Sequence, residues 1–155
     1  MVFVLEFHKA FHLSTVYGFN QSSERRSLWS DMKSLRAGIG GRAWMQLGDF
    51  NVVRKPSERL EGFDSTAAAE FNSCIDFLNM DDMPTKGFWY TRSNKRGGDG
   101  DNKSRLDRAV VNAGWMDDYL DSEVCVEAPA NLRRSYLPLG RPLQEDVACK
   151  GSAKS

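Results

Sequence analysis

Histidine is almost missing from this sequence: His8 and His12 are the only two in 155 residues. They stand four apart, a spacing that could hold a metal from one helix face. The glutamate that the metalloprotease pattern places between such a pair is lacking, and both read as incidental side chains. Cysteine is scarce too. Cys74, Cys125 and Cys149 are odd in number, far apart and without metal-ligand spacing. That argues against a disulfide framework or a zinc site and for reduced thiols in an intracellular setting, nuclear or cytoplasmic. Net charge is absent, since 21 basic residues balance 21 acidic ones. No global positive field therefore exists to hold nucleic acid nonspecifically, and any contact with phosphate must be local. No apolar run approaches the roughly 18 residues that a membrane span needs. Residues 1–13 are apolar but carry Glu6, His8 and Lys9, with no basic leader or small-residue cleavage site. A soluble, unsecreted chain without a membrane partner is expected. The glycines of Gly38-Ile39-Gly40-Gly41 lack the spacing and trailing Lys-Ser/Thr of a phosphate-cradling loop. No internal repeat occurs.

What remains is an ordinary globular composition, 41% hydrophobic and 27% charged, at a length suited to one domain with its own core. Residues 11–17 are rich in β-formers and run into the turn Gly18-Phe19-Asn20, which predicts a strand ending in Tyr17. Ser22 or Ser23 then caps a helix to about Arg36, with Leu28, Met32 and Leu35 on one face, Trp29 widening the stripe and Gly38 stopping it. A polar loop follows from Arg54 to Asp64. Ser65 or Thr66 caps a second helix to about Asn79 that faces the core with Phe71, Cys74, Ile75 and Leu78. Pro84 and Gly87 punctuate the chain before the β-prone stretch Phe88-Trp89-Tyr90-Thr91. Residues 93–103 have the composition of a mobile hairpin loop. From Ser104 to Val111 the chain reads as one strand. Asn112 caps a short helix through Trp115 and Tyr119, and a β-prone piece surrounds Val124 to Val126. Residues 140–155 are small and polar and read as a disordered tail.

Three places carry chemistry. The apolar run Ala43, Trp44, Met45, Leu47 stops abruptly at Gly48-Asp49-Phe50-Asn51. A buried strand would end there with Asp49 and Asn51 two positions apart on one face. A carboxylate that orients or deprotonates water, beside an amide that donates to a phosphoryl oxygen, suits phosphodiester hydrolysis. An ordinary Gly-Asp turn is the plainer alternative. Asp107 lies among apolar neighbours and needs a partner. That partner is either Arg105 or Arg108 in an ion pair, or an imidazole whose tautomer it fixes. Between Arg92 and Arg108 six basic residues face three acidic ones. Lys95, Arg96, Lys103 and Arg105 are the candidates there for contact with phosphate, a solvated loop being the alternative.

Taken in order, Tyr17-Gly18-Phe19-Asn20, Glu24-Arg25-Arg26 with Leu28-Trp29, Gly48-Asp49-Phe50-Asn51, Glu58-Arg59, Glu70-Phe71, Gly87, Tyr90-Thr91, Asn94-Lys95, Arg105-Leu106-Asp107-Arg108 and Asn112 with Trp115 form a set. The set resembles the endonuclease/exonuclease/phosphatase superfamily, the group of deoxyribonuclease I and exonuclease III. Within it the likeness is to the endonuclease domain of plant long interspersed element retrotransposons. It spans about Phe11 to Glu127, and places a partial domain at residues 11–139 behind a divergent segment at residues 1–10.

The resemblance implies an α/β sandwich with one sheet incomplete, magnesium as the cofactor and DNA, or RNA, as the partner. It also implies roles: Tyr17 contacting the scissile phosphate with Asn20 beside it, Asp49 activating water, Asn51 assisting, and Asp107 backing a catalytic histidine. The family's early asparagine and metal-binding glutamate have no counterpart, because the chain enters the pattern midway. Where the family closes with Ser-Asp-His, this chain reads Asn131-Leu132-Arg133-Arg134-Ser135-Tyr136-Leu137-Pro138. Arg92 stands where the family has a tryptophan. No metal ligand is assigned, and since the loss of one member of a catalytic unit commonly costs orders of magnitude, hydrolysis by this chain alone is expected to be lost. A noncatalytic nucleic-acid-binding remnant, or a degenerate fragment, is the alternative.

Overall fold

The apolar run that stops at Gly48 becomes the inner strand on which the other elements are laid. The computed structural model describes residues 9–94 and 102–127. His12–Tyr17 (β1) lies parallel to Trp44–Asp49 (β2), which is antiparallel to Asp107–Asn112 (β7), which in turn is antiparallel to Met80–Asp82 (β3). Between β1 and β2 runs the helix Ser22–Ile39 (α1), and between β2 and β3 the helix Ser65–Leu78 (α2). Thr85–Gly87 (β4) pairs in parallel with Val124–Val126 (β8). Arg92–Asn94 (β5) and Asn102–Ser104 (β6) make a separate antiparallel ladder, and Ala113–Asp118 is α3.

Alternation along β2 and β7 gives the four-stranded sheet two apolar faces. Trp44 and Val110 join Trp29, Met32, Phe71, Cys74, Ile75 and Leu78 under the two long helices. Met45, Ala109 and Val111 join Met83, Trp115, Val124 and Val126 on the opposite side. The helix layer is tied by aromatic contact, with Phe71 stacked on Trp29 at 4.9 Å and tilted against Phe50 at 5.1 Å. On the other side the Asn112 side-chain Oδ1 accepts from the Trp115 N–H, capping α3, and from the Trp44 N–H, binding that cap to β2.

Several boundaries differ from those the sequence suggests. Helix α1 runs past Gly38 to Ile39, because Ile39 is buried in the helix-side core and Gly40, at φ 65°, supplies the left-handed stop. Its inner face is Arg25, Trp29, Met32 and Ile39, while Leu35 faces water, the bulky indole of Trp29 having taken the central position. Helix α2 is capped one residue earlier than expected, by the Asp64 carboxylate accepting from the Ala67 N–H at 2.9 Å. Phe88 to Thr91 connects strands rather than forming one. The expected single strand from Ser104 to Val111 is broken at Arg105-Leu106. There the N–H of Arg105 donates to the Glu58 carbonyl and that of Leu106 to the Thr91 hydroxyl. The expected tail at residues 140–155, His8 and the Ser135 region lie outside the described residues. No helix among the described residues is long and apolar enough to cross a membrane.

Candidate functional site

Parallel pairing makes β1 and β2 end on the same side of the sheet, with Tyr17 in register with Asp49. Antiparallel pairing makes β7 begin there, with Asp107 opposite Asp49. A phenol and two carboxylates, from positions 17, 49 and 107 of the chain, thus occupy one row at the end of the sheet. The approach of β1 to β2 is close: a Cβ on Gly48, whose φ is 146°, would stand 2.0 Å from the Val16 carbonyl oxygen.

Asn51 does not share a strand face with Asp49. The strand stops at Asp49, and Asn51 turns the chain with a φ of 52°. Its N–H donates to Asp49 Oδ1 at 2.8 Å and its side-chain amide to the Gly18 carbonyl at 2.8 Å, while the Gly18 N–H donates to the Asp49 carbonyl at 2.6 Å. These bonds lock the turn after β2 to the turn after β1. Asparagine suits the position because it tolerates the left-handed region and satisfies the backbone with its own amide. A Cβ on Gly18 would lie 2.3 Å from the Phe50 carbonyl oxygen, so the lock requires glycine there. The tetrapeptide thus forms a turn, and the Asn51 N–H of that turn holds the Asp49 carboxylate.

Burial is the main cause holding the Asp49 carboxyl above its ordinary value, with Asp107 adding to it. The Asn51 N–H and the charge of Arg92 act the other way. Asp107 has neither of the arginine partners considered for it. Arg108 turns away to pair with Glu58 and Asp82, and Arg105 lies over the Trp89 ring with its guanidinium 4.4 Å from the centroid. Instead the Asp107 N–H, like that of Leu106, donates to Thr91 Oγ1 at 3.0 Å, which fixes the start of β7. Tyr17 is 76% exposed and open to a ligand.

The remaining candidates divide. Asn20 is exposed in the loop after β1, and its carbonyl, with that of Phe19, accepts from buried Arg25 at 2.8 Å. Lys103 lies on β6, opposite Ser93. Arg105 is not on a hairpin tip: its side chain is drawn into the protein beside Thr85 and Trp89. Lys95 and Arg96 lie outside the described residues. Sequence reasoning missed three contributors. Arg25 occupies the helix position four before Trp29, so the helical period alone puts it on the core side. Thr91 and Arg92 carried no spacing signal, and only the fold brings Arg92 Nη1 to 3.5 Å from Asn51 Oδ1.

No protein-family model matches the chain, and no curated protein sequence matches it. Among solved structures, the endonuclease domain of TRAS1, a telomere-specific non-LTR retrotransposon, superposes with a TM-score of 0.51 at 20% identity, over 65% of this chain and 44% of that one. A β-hairpin deletion mutant of the beta toxin from Staphylococcus aureus gives a TM-score of 0.47 at 17% identity, over 97% of this chain and 53% of that one. The chain thus spans about half the length of these two proteins. The first likeness establishes a fold: a mixed α/β architecture of the deoxyribonuclease I-like type, shared with a retrotransposon endonuclease domain.

Proposed function

We propose that this chain carries the phosphate-binding frame of a nuclease and that, by itself, it binds DNA without cutting it at a useful rate. The observation that supports the reading is the convergence of Tyr17, Asp49, Asn51 and Asp107 on the common end of β1, β2 and β7. In such a site the Tyr17 hydroxyl donates to a phosphoryl oxygen, Asp49 orients or deprotonates water and Arg92 offsets the charge of the phosphate.

Magnesium fits the donors present. Asp49 and Asp107 are opposed across β2 and β7, and the charge of Asp107 adds to the burial that raises the Asp49 carboxyl, a load that a hard cation would relieve. These two would hold it, and the ion would lower the pKa of a bound water. Among the described residues, no imidazole stands at this end of the sheet. The chain's two histidines are His8 and His12, and His12 is paired with Trp44 at the opposite end of β1 from Tyr17.

The test is a gel-shift titration with labelled DNA over a salt series, run beside plasmid nicking with magnesium. Binding that weakens with salt, and weakens further in Tyr17→Ala and Arg92→Ala, with no nicking above a buffer blank, is the expected result. Nicking abolished by Asp49→Ala would restore full catalysis. No shift at low salt by a chain that melts cooperatively would refute both.

A further inference from the structure

A cleft of about 580 Å³, lined in part by Arg54, Lys55, Thr85, Trp89 and Arg105, shares no residue with the Tyr17–Asp49 site. Arg54 and Arg105 line it, with Glu58 and Asp82 beside them, and Arg108 lies buried behind these carboxylates. Glu58 takes Arg108 at 2.8 Å. Asp82 is divided between Arg108 at 3.2 Å and Arg54 at 3.1 Å. Arg105 is left over. It is only 5% exposed, yet among the described residues no carboxylate lies within ion-pair distance of it. Its partners are the Thr85 hydroxyl at 3.2 Å and the face of Trp89. The Thr85 hydroxyl is itself committed, donating to the Met83 carbonyl.

A buried guanidinium with unused N–H groups on a cleft wall is an anion receptor, because a charge removed from water is stabilised only by an opposite charge with good hydrogen bonds. Lys55 reinforces it from the other part of the wall, its ammonium 5.7 Å from the same Trp89 ring. Four acidic residues also line the cleft. Glu58 is engaged by Arg108, and Asp81 and Asp82 by Arg54, which leaves Asp76 without an ion pair among the described residues; at the Trp89 ring the charges presented are those of Arg105 and Lys55. The planar fork of Arg105 matches the oxygens of a tetrahedral oxyanion. We infer that this cleft is a receptor for one phosphate group, free or at the end of a nucleotide chain, held by Arg105 and Lys55 against Trp89.

The reporter is built in. Trp29, Trp44 and Trp115 are interior, whereas Trp89 is 42% exposed, so an anion arriving beside Arg105 changes the emission of Trp89. The full chain is titrated, at ionic strength fixed with chloride, with inorganic phosphate, a 5′-phosphorylated trinucleotide and its unphosphorylated twin. A saturable change with a phosphate-bearing ligand and none with the twin is expected. A response to inorganic phosphate assigns the free ion, and a response confined to the phosphorylated trinucleotide assigns a nucleic-acid end.

Lys55→Met and Arg105→Met should each weaken binding roughly 10- to 100-fold, the range of a charge-assisted hydrogen bond. If Arg105→Met does not fold, exposed Lys55→Met carries the test alone. Trp89 emission reports this cleft and the gel shift reports the other site, so failure here and failure of the DNA-binding proposal are separable. No saturable response to any of the three ligands, or an affinity indifferent to Lys55→Met, would overturn the inference.

Discussion

Replacing Glu58 by alanine should cost this protein a large part of its stability, and the structure sets the size of the loss. Both Glu58 and Arg108 have fully buried side chains, joined at 2.8 Å. Glu58 Oε2 also accepts the Arg54 backbone N–H at 2.7 Å. Removing one partner of a buried pair costs about 3–5 kcal/mol, since the other charge stays in the interior without compensation. Arg108 keeps Asp82 at 3.2 Å, which moves the expected cost to the lower end. The orphaned Arg54 N–H then adds about 1–3 kcal/mol. A total near 4 kcal/mol is expected, large against the roughly 5–15 kcal/mol of a whole domain.

Urea unfolding should show it as a midpoint lowered by more than about 1 M with an unchanged slope. Burial alone would push the Glu58 carboxyl up, but the Arg108 hydrogen bond and charge outweigh it and hold the carboxyl below its ordinary value. A depressed carboxylate contributes stability that is present above the unfolded pKa, about 4.3, and is lost as pH falls through the folded value. Wild type and Glu58→Gln should therefore differ at pH 7 and converge in acid. A loss below about 1 kcal/mol in Glu58→Ala, or a constant gap between wild type and Glu58→Gln down to pH 3, would refute the assignment of this pair as a structural anchor.

Other substitutions follow from the same geometry. Gly48→Ala must part β1 from β2, because its Cβ would meet the Val16 carbonyl oxygen at 2.0 Å; thermal melting should show a loss above about 2 kcal/mol. Gln46 is fully buried and its amide has no hydrogen-bond partner among the described residues. Gln46→Met should raise stability by about 1–2 kcal/mol, and an unchanged or lower denaturation midpoint would contradict the reading. Asp49 has a raised carboxyl pKa, so its ionisation disfavours the folded state as pH rises from the unfolded value towards the folded one. Asp49→Asn should accordingly melt higher than wild type at pH 7, with the advantage shrinking in acid, while DNA binding changes. Phe71→Ala, which empties the centre of the helix-side core, should cost about 3–5 kcal/mol by chemical denaturation.

How much of this was visible in the sequence depended on the range of the interaction concerned. The strand ending at Tyr17, the buried run ending at Gly48, the inward stripe of α2 and the Asn112 cap are local patterns, and the structure has them close to where the residues suggested. The position of Arg105 was not legible. In sequence it belongs to a basic stretch that suggests a solvated hairpin. In space its backbone N–H is captured by the Glu58 carbonyl 47 residues earlier, and its side chain follows into the interior. The polar loop from Arg54 to Asp64 misled for the same reason. Five charged residues precede Asp64 in a stretch that reads as a polar loop, yet Glu58 is completely buried, because the arginine that neutralises it comes from β7. Charge pattern along a chain cannot show pairing across it.

The site itself depends on one topological fact that no local pattern carries. Tyr17 and Asp49 meet because β1 and β2 are parallel, and α1 provides the long crossover that parallel strands need. Asp107 meets Asp49 because β7 returns antiparallel through the centre of the same sheet. Shifting β7 by one residue against β2 would bring a neighbour of Asp107 opposite Asp49 and send the Asp107 carboxylate to the other face. What pins that register is polar. The Thr91 hydroxyl accepts the N–H groups of both Leu106 and Asp107, and Arg108, the next residue, is anchored by Glu58 and Asp82. Arg108 of the buried ion pair and Asp107 are adjacent on one strand, so the anchor that costs desolvation is also what positions the Asp107 carboxylate. Thr91→Val keeps the volume and removes the acceptor. It should therefore lower DNA affinity at the Asp49 site by more than its effect on stability accounts for, read by comparing gel-shift affinities well below the melting temperature. Equal affinity in a folded Thr91→Val would mean that the register is held by packing alone.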